Sequence, residues 1–267
     1  MAFPTEVFLP EGEQFRVRTS TQGPLYLPGT RGLAPNGDVY RYAQMGAVAG
    51  VVGKLYQAPI PVTNHVLQTV AAAVVGATTI AMTIGNTAIV ANDYINGNVV
   101  IDLASNTGFG YTYLIDAHPA VAGSGVFTIP LAGSPSRTVQ SDGLVVAGND
   151  SVQVAIATTA NSVSLVPSNW KKVILSPASA ATAEIAGVSV SAIAISGWGW
   201  LKTRGNCMVL TDGTVIIGQA VAASQATAGA VAALSTTIAT TVTQVPVGRI
   251  VRVATTTNYS TMFAQID

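Results

Sequence analysis

Four dipeptides constrain what this chain can become: Asn36-Gly37, Asn96-Gly97, Asp142-Gly143 and Asp212-Gly213, each set between apolar runs. Such pairs favour the positive φ of tight turns, so they cut the chain into short strands joined by hairpins. Between them apolar and small polar residues alternate with period two. Ile80, Met82 and Ile84 face Thr79, Ala81 and Thr83; Tyr111, Tyr113 and Ile115 face Thr112, Leu114 and Asp116; Val152, Val154 and Ile156 face Gln153, Ala155 and Ala157. The reading is all-β, with short-stranded β-barrel or sandwich lobes. In 188–195 the large apolar positions change phase near Ala192, the mark of a bulge or barrel corner. The one helix-like stretch, Ser176-Pro177 to Gly187, has a cap, a first-turn proline and a closing glycine, and is read as a short helix or a loop.

Proline divides the chain. Residues 1–35 hold Pro4, Pro10, Pro24, Pro28 and Pro35, a density that forbids a long helix and restricts strands to short pieces. This segment is expected to be an extended N-terminal arm. Phe3, Phe8, Leu9 and Phe15, with Arg16 and Arg18, are its candidate contacts with a neighbouring subunit; a strap across its own domain is the alternative. Pro59-Ile60-Pro61 and Pro167-Ser168-Asn169-Trp170 mark further boundaries. They give opening strands over 36–61, a middle β lobe over 62–168 and a C-terminal β-domain over 169–267.

Only 9% of the 267 residues are charged, against roughly 25% in an ordinary soluble domain. The exterior must therefore be built of Ser, Thr, Asn, Gly and Ala, or be covered by other subunits. Twelve basic and twelve acidic residues cancel, which removes the electrostatic footprint of a nucleic-acid or anionic-membrane binder, so neither partner is expected. Cys207 stands alone, which excludes an internal disulfide and fits synthesis in a reducing cytoplasm. The start, MAFPTEVFLPEGE, lacks the basic and apolar regions of a signal peptide. Val66 to Ile84 is interrupted by Gln68, Thr69, Gly76, Thr78, Thr79 and Thr83, so no membrane span is expected despite a mean hydropathy of +0.47.

Catalytic signatures are sparse. His65 and His118 stand apart from each other and from Cys207, which gives no zinc spacing, and no metal or cofactor is expected. No nucleophile elbow, phosphate loop or metalloprotease string occurs. Asp93, Asp102, Asp116, Asp142 and Asp150 are scattered through the middle lobe without local clustering. Trp198 and Trp200 share a strand face with Lys202 and Arg204. That stripe is either a partner or sugar contact or a core strand whose charged end runs out of the protein.

Gly197-Trp-Gly-Trp-Leu-Lys-Thr-Arg-Gly205, Val209-Leu-Thr-Asp-Gly-Thr214, Thr227-Ala-Gly-Ala-Val231 and Val247-Gly-Arg-Ile250 together resemble the strand-turn series of tailed-bacteriophage head decoration, or cement, proteins. Residues 37–42 and Gly53-Lys54 are similar to the opening strands of that domain, which would make the middle lobe an insertion. The middle lobe, through Gly76-Ala-Thr-Thr-Ile80, Tyr94-Ile-Asn-Gly-Asn98 and 110–119, resembles other phage structural proteins. The resemblance implies a non-enzymatic protein on the virion exterior. It would bind the major capsid protein and hold neighbouring coat subunits together, often as a homotrimer. The alternative is a receptor- or carbohydrate-binding β module with Trp198, Trp200, Tyr111 and Tyr113 as stacking residues. A glycan hydrolase would need two facing carboxylates, and no pair nominates itself.

Overall fold

The computed structural model describes residues 6–132, 151–234, 244–254 and 259–267. Seventeen strands are found among them, and no α-helix. In chain order they are β1 (Glu6–Phe8), β2 (Arg31–Leu33), β3 (Val39–Gln44), β4 (Leu55–Gln57), β5 (Gln68–Val70), β6 (Thr79–Thr83), β7 (Asn98–Ile101), β8 (Thr112–Leu114) and β9 (Val126–Pro130). There follow β10 (Thr159–Val166), β11 (Ile174–Leu175), β12 (Ile185–Ser189), β13 (Trp198–Asp212), β14 (Ala220–Ala223), β15 (Val231–Ala233), β16 (Pro246–Arg252) and β17 (Tyr259–Gln265). The protein is all-β. The chain forms two compact units: Ile60–Ser168 makes one, interrupting in sequence the other, which runs over Pro4–Pro59 and Asn169–Asp267.

The inserted unit is a curled six-stranded sheet in the order β8-β7-β10-β5-β6-β9. Its alternation is the one the sequence displays: Ile80, Met82, Ile84, Tyr113 and Ile115 point into a core shared with Phe127, Ile129, Val163 and Leu165. The sheet's two edge strands are linked by a single bridge, Ile115 to Leu131, so the core is wrapped by one continuous layer. Val152 and Ile156 also reach this core, but their segment makes an isolated bridge with Ala73 instead of a strand.

The host unit is organised by β13, fifteen residues long. Its first half pairs with β3 and β12, and both of its faces are covered. Trp198 and Trp200 pack with Leu9, Tyr40 and Tyr42 on one side, while Leu201 packs with Met45, Tyr56 and Ile193 on the other. Its second half alternates strictly between buried and exposed residues and pairs with β17. There β13, β15, β14, β16 and β17 close into a five-stranded barrel, with Cys207, Val209, Val221, Val231, Ile250 and Met262 inside.

The strand changes role around Lys202–Gly205, where its register against β3 shifts by a residue. Lys202 Nζ donates to Asp38 Oδ2 at 2.5 Å and to the Asn206 carbonyl at 2.7 Å, and it lies 5.0 Å from the Tyr40 ring centre. Burial alone would lower the ammonium pKa, but the Asp38 and Tyr40 side chains outweigh it and hold it above the ordinary lysine value. Gly205 has φ +107°, and a Cβ there would stand 1.8 Å from Asp38 Oδ1, so only glycine lets the carboxylate approach.

Several expectations need correction. The extended N-terminal arm is not what the described part of 1–35 forms, because residues 6–35 lie on the host unit itself. β1 pairs in parallel with β2, Leu9 donates its N–H to the Leu33 carbonyl, and Arg18 and Trp198 exchange backbone hydrogen bonds at 2.9 and 2.8 Å. The physical reason is period two again: Val7 and Leu9 turn inward onto the aromatic cluster, and Glu6 and Phe8 turn out. The helix-like stretch at 176–187 is loop followed by β12, because pairing with β4 and β13 outweighs its weak helical signals. The phase change near Ala192 marks the end of β12 at Ser189 rather than a bulge. Of the three turn pairs within the described residues, Asn36-Gly37 alone joins two adjacent antiparallel strands, β2 and β3. Asn96-Gly97 and Asp212-Gly213 lead into or out of strands whose partners lie elsewhere, and Asp142-Gly143 lies outside the described residues.

Replacing Lys202 by Met leaves Asp38 largely buried without its cation, which is expected to cost about 3–5 kcal/mol of stability. Urea denaturation measures it, and a loss below about 1 kcal/mol would contradict a structural role for the pair.

Candidate functional site

The sequence-nominated contact residues divide by the period of the N-terminal segment. Leu9 is 1% exposed and Trp200 0%, and Trp198 is also buried, so these three are core and are withdrawn as partner contacts. The cluster is built of rings: Tyr42 stacks on Trp198 at 6.0 Å and meets Trp200 edge-on at 5.0 Å, and Tyr26 lies 5.3 Å from Trp200. Each such pair contributes about 0.5–1.5 kcal/mol beyond area burial. Gly32 admits the contact, since a Cβ there would meet Leu9 Cδ1 at 2.5 Å and Trp200 at 2.8 Å.

Phe8, by contrast, is 81% exposed and Phe15 56%, with Arg16 exposed beside it and ion-paired to Glu13 at 3.4 Å. Arg18 turns its guanidinium inward along its own segment, donating to the Gly23 and Gln22 carbonyls at 2.9 and 2.8 Å. Phe3 lies outside the described residues. The candidate contact surface on this segment is therefore Phe8, Phe15 and Arg16, held in place by Leu9 and by the Arg18–Trp198 bridge.

The stacking candidates of a carbohydrate site fare differently from one another. Trp198, Trp200 and Tyr113 are buried, the last donating no face to solvent; Tyr111 alone is open, stacked on Tyr113 at 6.2 Å. The two histidines are core residues of the inserted unit. His65 Nδ1 is 2.7 Å from the Tyr94 hydroxyl and its Nε2 2.8 Å from the Thr87 carbonyl; His118 Nε2 accepts from the Tyr94 N–H at 3.0 Å, and its Nδ1 lies 2.9 Å from the Pro119 carbonyl. These partners make Nε2 the donor in His65 and Nδ1 the donor in His118. Burial raises the Tyr94 hydroxyl pKa above its ordinary value. The network fastens a loop and offers no open ligand position.

Asp102 accepts from the Ser164 hydroxyl, and Asp116 is exposed. Among the described residues no group of three or more His, Cys, Asp or Glu side chains is placed to hold a metal. A cavity of about 420 Å³ is lined by Glu184, Ala222, Gln225, Val245, Gln265 and neighbouring residues. Among the described residues that line it, Glu184 is the one carboxylate. Burial pushes the Cys207 thiol up to about 12, as expected of a sulfur inside an apolar barrel. No helix is long and apolar enough to cross a membrane among the described residues.

Comparison with protein-family models, with curated proteins and with solved structures finds no match.

Two outcomes follow from this division. Leu9→Ala is expected to cost about 2–4 kcal/mol in urea denaturation, while Phe8→Ala stays within about 0.5 kcal/mol; equal effects would contradict the assignment of one to core and the other to surface. The raised thiol pKa means that Cys207 favours folding below the thiol's unfolded value of roughly 8.5 and loses that contribution as pH rises toward 12. The folded protein should accordingly resist Ellman's reagent at pH 8 until denaturant is added, and prompt labelling would place the thiol at the surface.

Proposed function

We propose that this chain is a non-enzymatic virion structural protein, a decoration protein that binds the outer surface of a phage capsid and stabilises contacts between major coat subunits. The observation that carries the reading is the pair of exposed phenylalanines, Phe8 and Phe15, displayed on a segment whose neighbouring residue Leu9 is locked into the host core. An apolar side chain held on a fixed backbone loses little entropy on docking, so it serves as a contact anchor. The charge-poor exterior supports the same reading, because 9% charged residues leave a surface suited to coverage by other subunits.

In this reading the protein is made in the host cytoplasm, assembles as a homo-oligomer, with a trimer favoured, and joins the capsid exterior without nucleic acid, membrane or cofactor. Its mechanism is avidity: each contact is modest, and capsid symmetry repeats it at high effective concentration.

Cosedimentation with intact heads of the source phage, read beside solution mass by light scattering, tests the proposal. Saturable binding by an oligomer, weakened about tenfold or more by Phe8→Asp with Phe15→Asp, is the expected result. A monomer that ignores heads, or one that binds glycans through Tyr111, would overturn it.

A further inference from the structure

The barrel presents a second surface that the N-terminal segment does not cover. On β13 the residues 204, 206 and 208 point outward, on β17 the residues 261, 263 and 265 are the less buried set, and on β16 Arg249, Val251 and Arg252 are exposed. Strand register brings them into rows. Asn206 stands opposite Phe263, and Phe263 opposite Arg249; Met208 stands opposite Thr261, and Thr261 opposite Arg252; Arg204 stands one step along, opposite Gln265. A partly buried phenylalanine is thus flanked by three arginines and by Met208, itself 49% exposed. At the other end Leu210 donates to the Gly53 carbonyl at 2.8 Å, so the loop before β4 bounds the surface.

These cations are not neutralised by the chain around them. The guanidinium groups of Arg204 and Arg249 have no hydrogen-bonding or ionic partner among the described residues, and that of Arg252 reaches only the Thr261 hydroxyl, at 3.3 Å. Three acids of this part of the host unit are engaged elsewhere, Asp38 by Lys202 at 2.5 Å, Asp212 by the Ser224 hydroxyl at 2.5 Å, and Asp267 by both Nε and Nη2 of Arg41 at 2.7 and 3.0 Å, while exposed Glu184 lines the cavity that reaches Gln265 at one end of the face. The surface therefore carries an excess of positive charge, three arginines against Glu184 at one end, around an apolar centre.

We infer that this face of β13, β17 and β16 docks on a carboxylate-bearing protein surface, which under the proposed function is the acidic part of the coat-subunit exterior. Charge complementarity selects the occupant, since a guanidinium fork matches a carboxylate with two parallel hydrogen bonds. The mixture of Arg, Met and one aromatic is that of a protein interface, whereas single-stranded nucleic acid is bound on successive aromatic platforms that this face lacks. The inference rests on the decoration reading for the identity of the partner, and on the face itself for its chemistry.

The test uses the full chain and the variant Arg204→Glu with Arg249→Glu, two exposed side chains whose reversal should leave melting unchanged. Each is titrated with a labelled glutamate-rich peptide, with short single-stranded DNA, and with phage heads, at low and at high salt. The wild-type chain is expected to bind the peptide in a salt-sensitive manner and to prefer it to DNA, and the variant is expected to lose peptide and head affinity by at least about tenfold. Peptide binding without head binding would sink the capsid reading and leave the face standing. Equal head binding by both proteins, failure of the wild-type chain to bind the peptide, or tighter binding of DNA than of peptide would overturn the inference.

Discussion

The host unit depends on one strand being used twice. Over its first six residues β13 is a central strand buried on both faces, and over the rest it is a stave of a closed barrel with one face open. A strand can serve both environments only if something at the junction tolerates the change. Here that something is the Lys202–Asp38 pair, enclosed by Tyr40, together with Gly205, whose left-handed backbone gives the carboxylate room. A buried ion pair is seldom a large net source of stability, but it is costly to break and it fixes register. At this junction register matters, because a slip by one residue would turn Cys207 and Val209 outward and Arg204 into the barrel.

The same division explains how the molecule distributes its chemistry. Between residues 60 and 168 the sequence has Arg137 as its only Lys or Arg and Asp93, Asp102, Asp116, Asp142 and Asp150 as its only acids, so the inserted unit is poor in charge and what charge it has is mostly negative. Its polar interior is spent on holding loops, through His65, Tyr94 and His118. The host unit keeps nearly all of the cations, and several of them are absorbed locally: Lys202 by Asp38, Arg41 by Asp267 and the Trp170 ring, Arg31 by Glu6. Among the groups left at the surface are Phe8, Phe15 and Arg16 on the N-terminal segment and the half-buried, arginine-flanked Phe263 on the barrel.

Much of the fold was legible in the sequence, since period-two alternation at Thr79–Ile84 and 111–116 reports which side chains face a core, and prolines near 59–61 and 167 fall where the two units divide. Other features were hidden because they depend on pairing across long stretches of chain. The Phe-rich start looks like a free arm until Gly32 and Trp200, far apart in sequence, create the socket for Leu9. Trp198 and Trp200 share a face with Lys202, as the spacing shows, but the register shift against β3 sets Lys202 opposite Tyr40 and Arg204 opposite Val39, so Arg204 turns to the other face, which alternation alone does not reveal. Phe263, Arg249 and Met208 carry no local signal at all; only the register of β16, β17 and β13 assembles them. The outward parity of 204, 206 and 208 could have been read from the alternation that places Cys207 and Val209 inside.

The N-terminal segment completes the host core by packing Val7 and Leu9 onto Trp198 and Trp200. Removing residues 1–23 and following acrylamide quenching of Trp170, Trp198 and Trp200 alongside thermal melting tests it directly. The truncated chain is expected to show quenchable tryptophans and to lose the cooperative transition of the host unit, because the cover over Trp198 and Trp200 is gone. A truncated chain that melts as the full one does, with its tryptophans still shielded, would show that the segment is an accessory arm and would contradict the account.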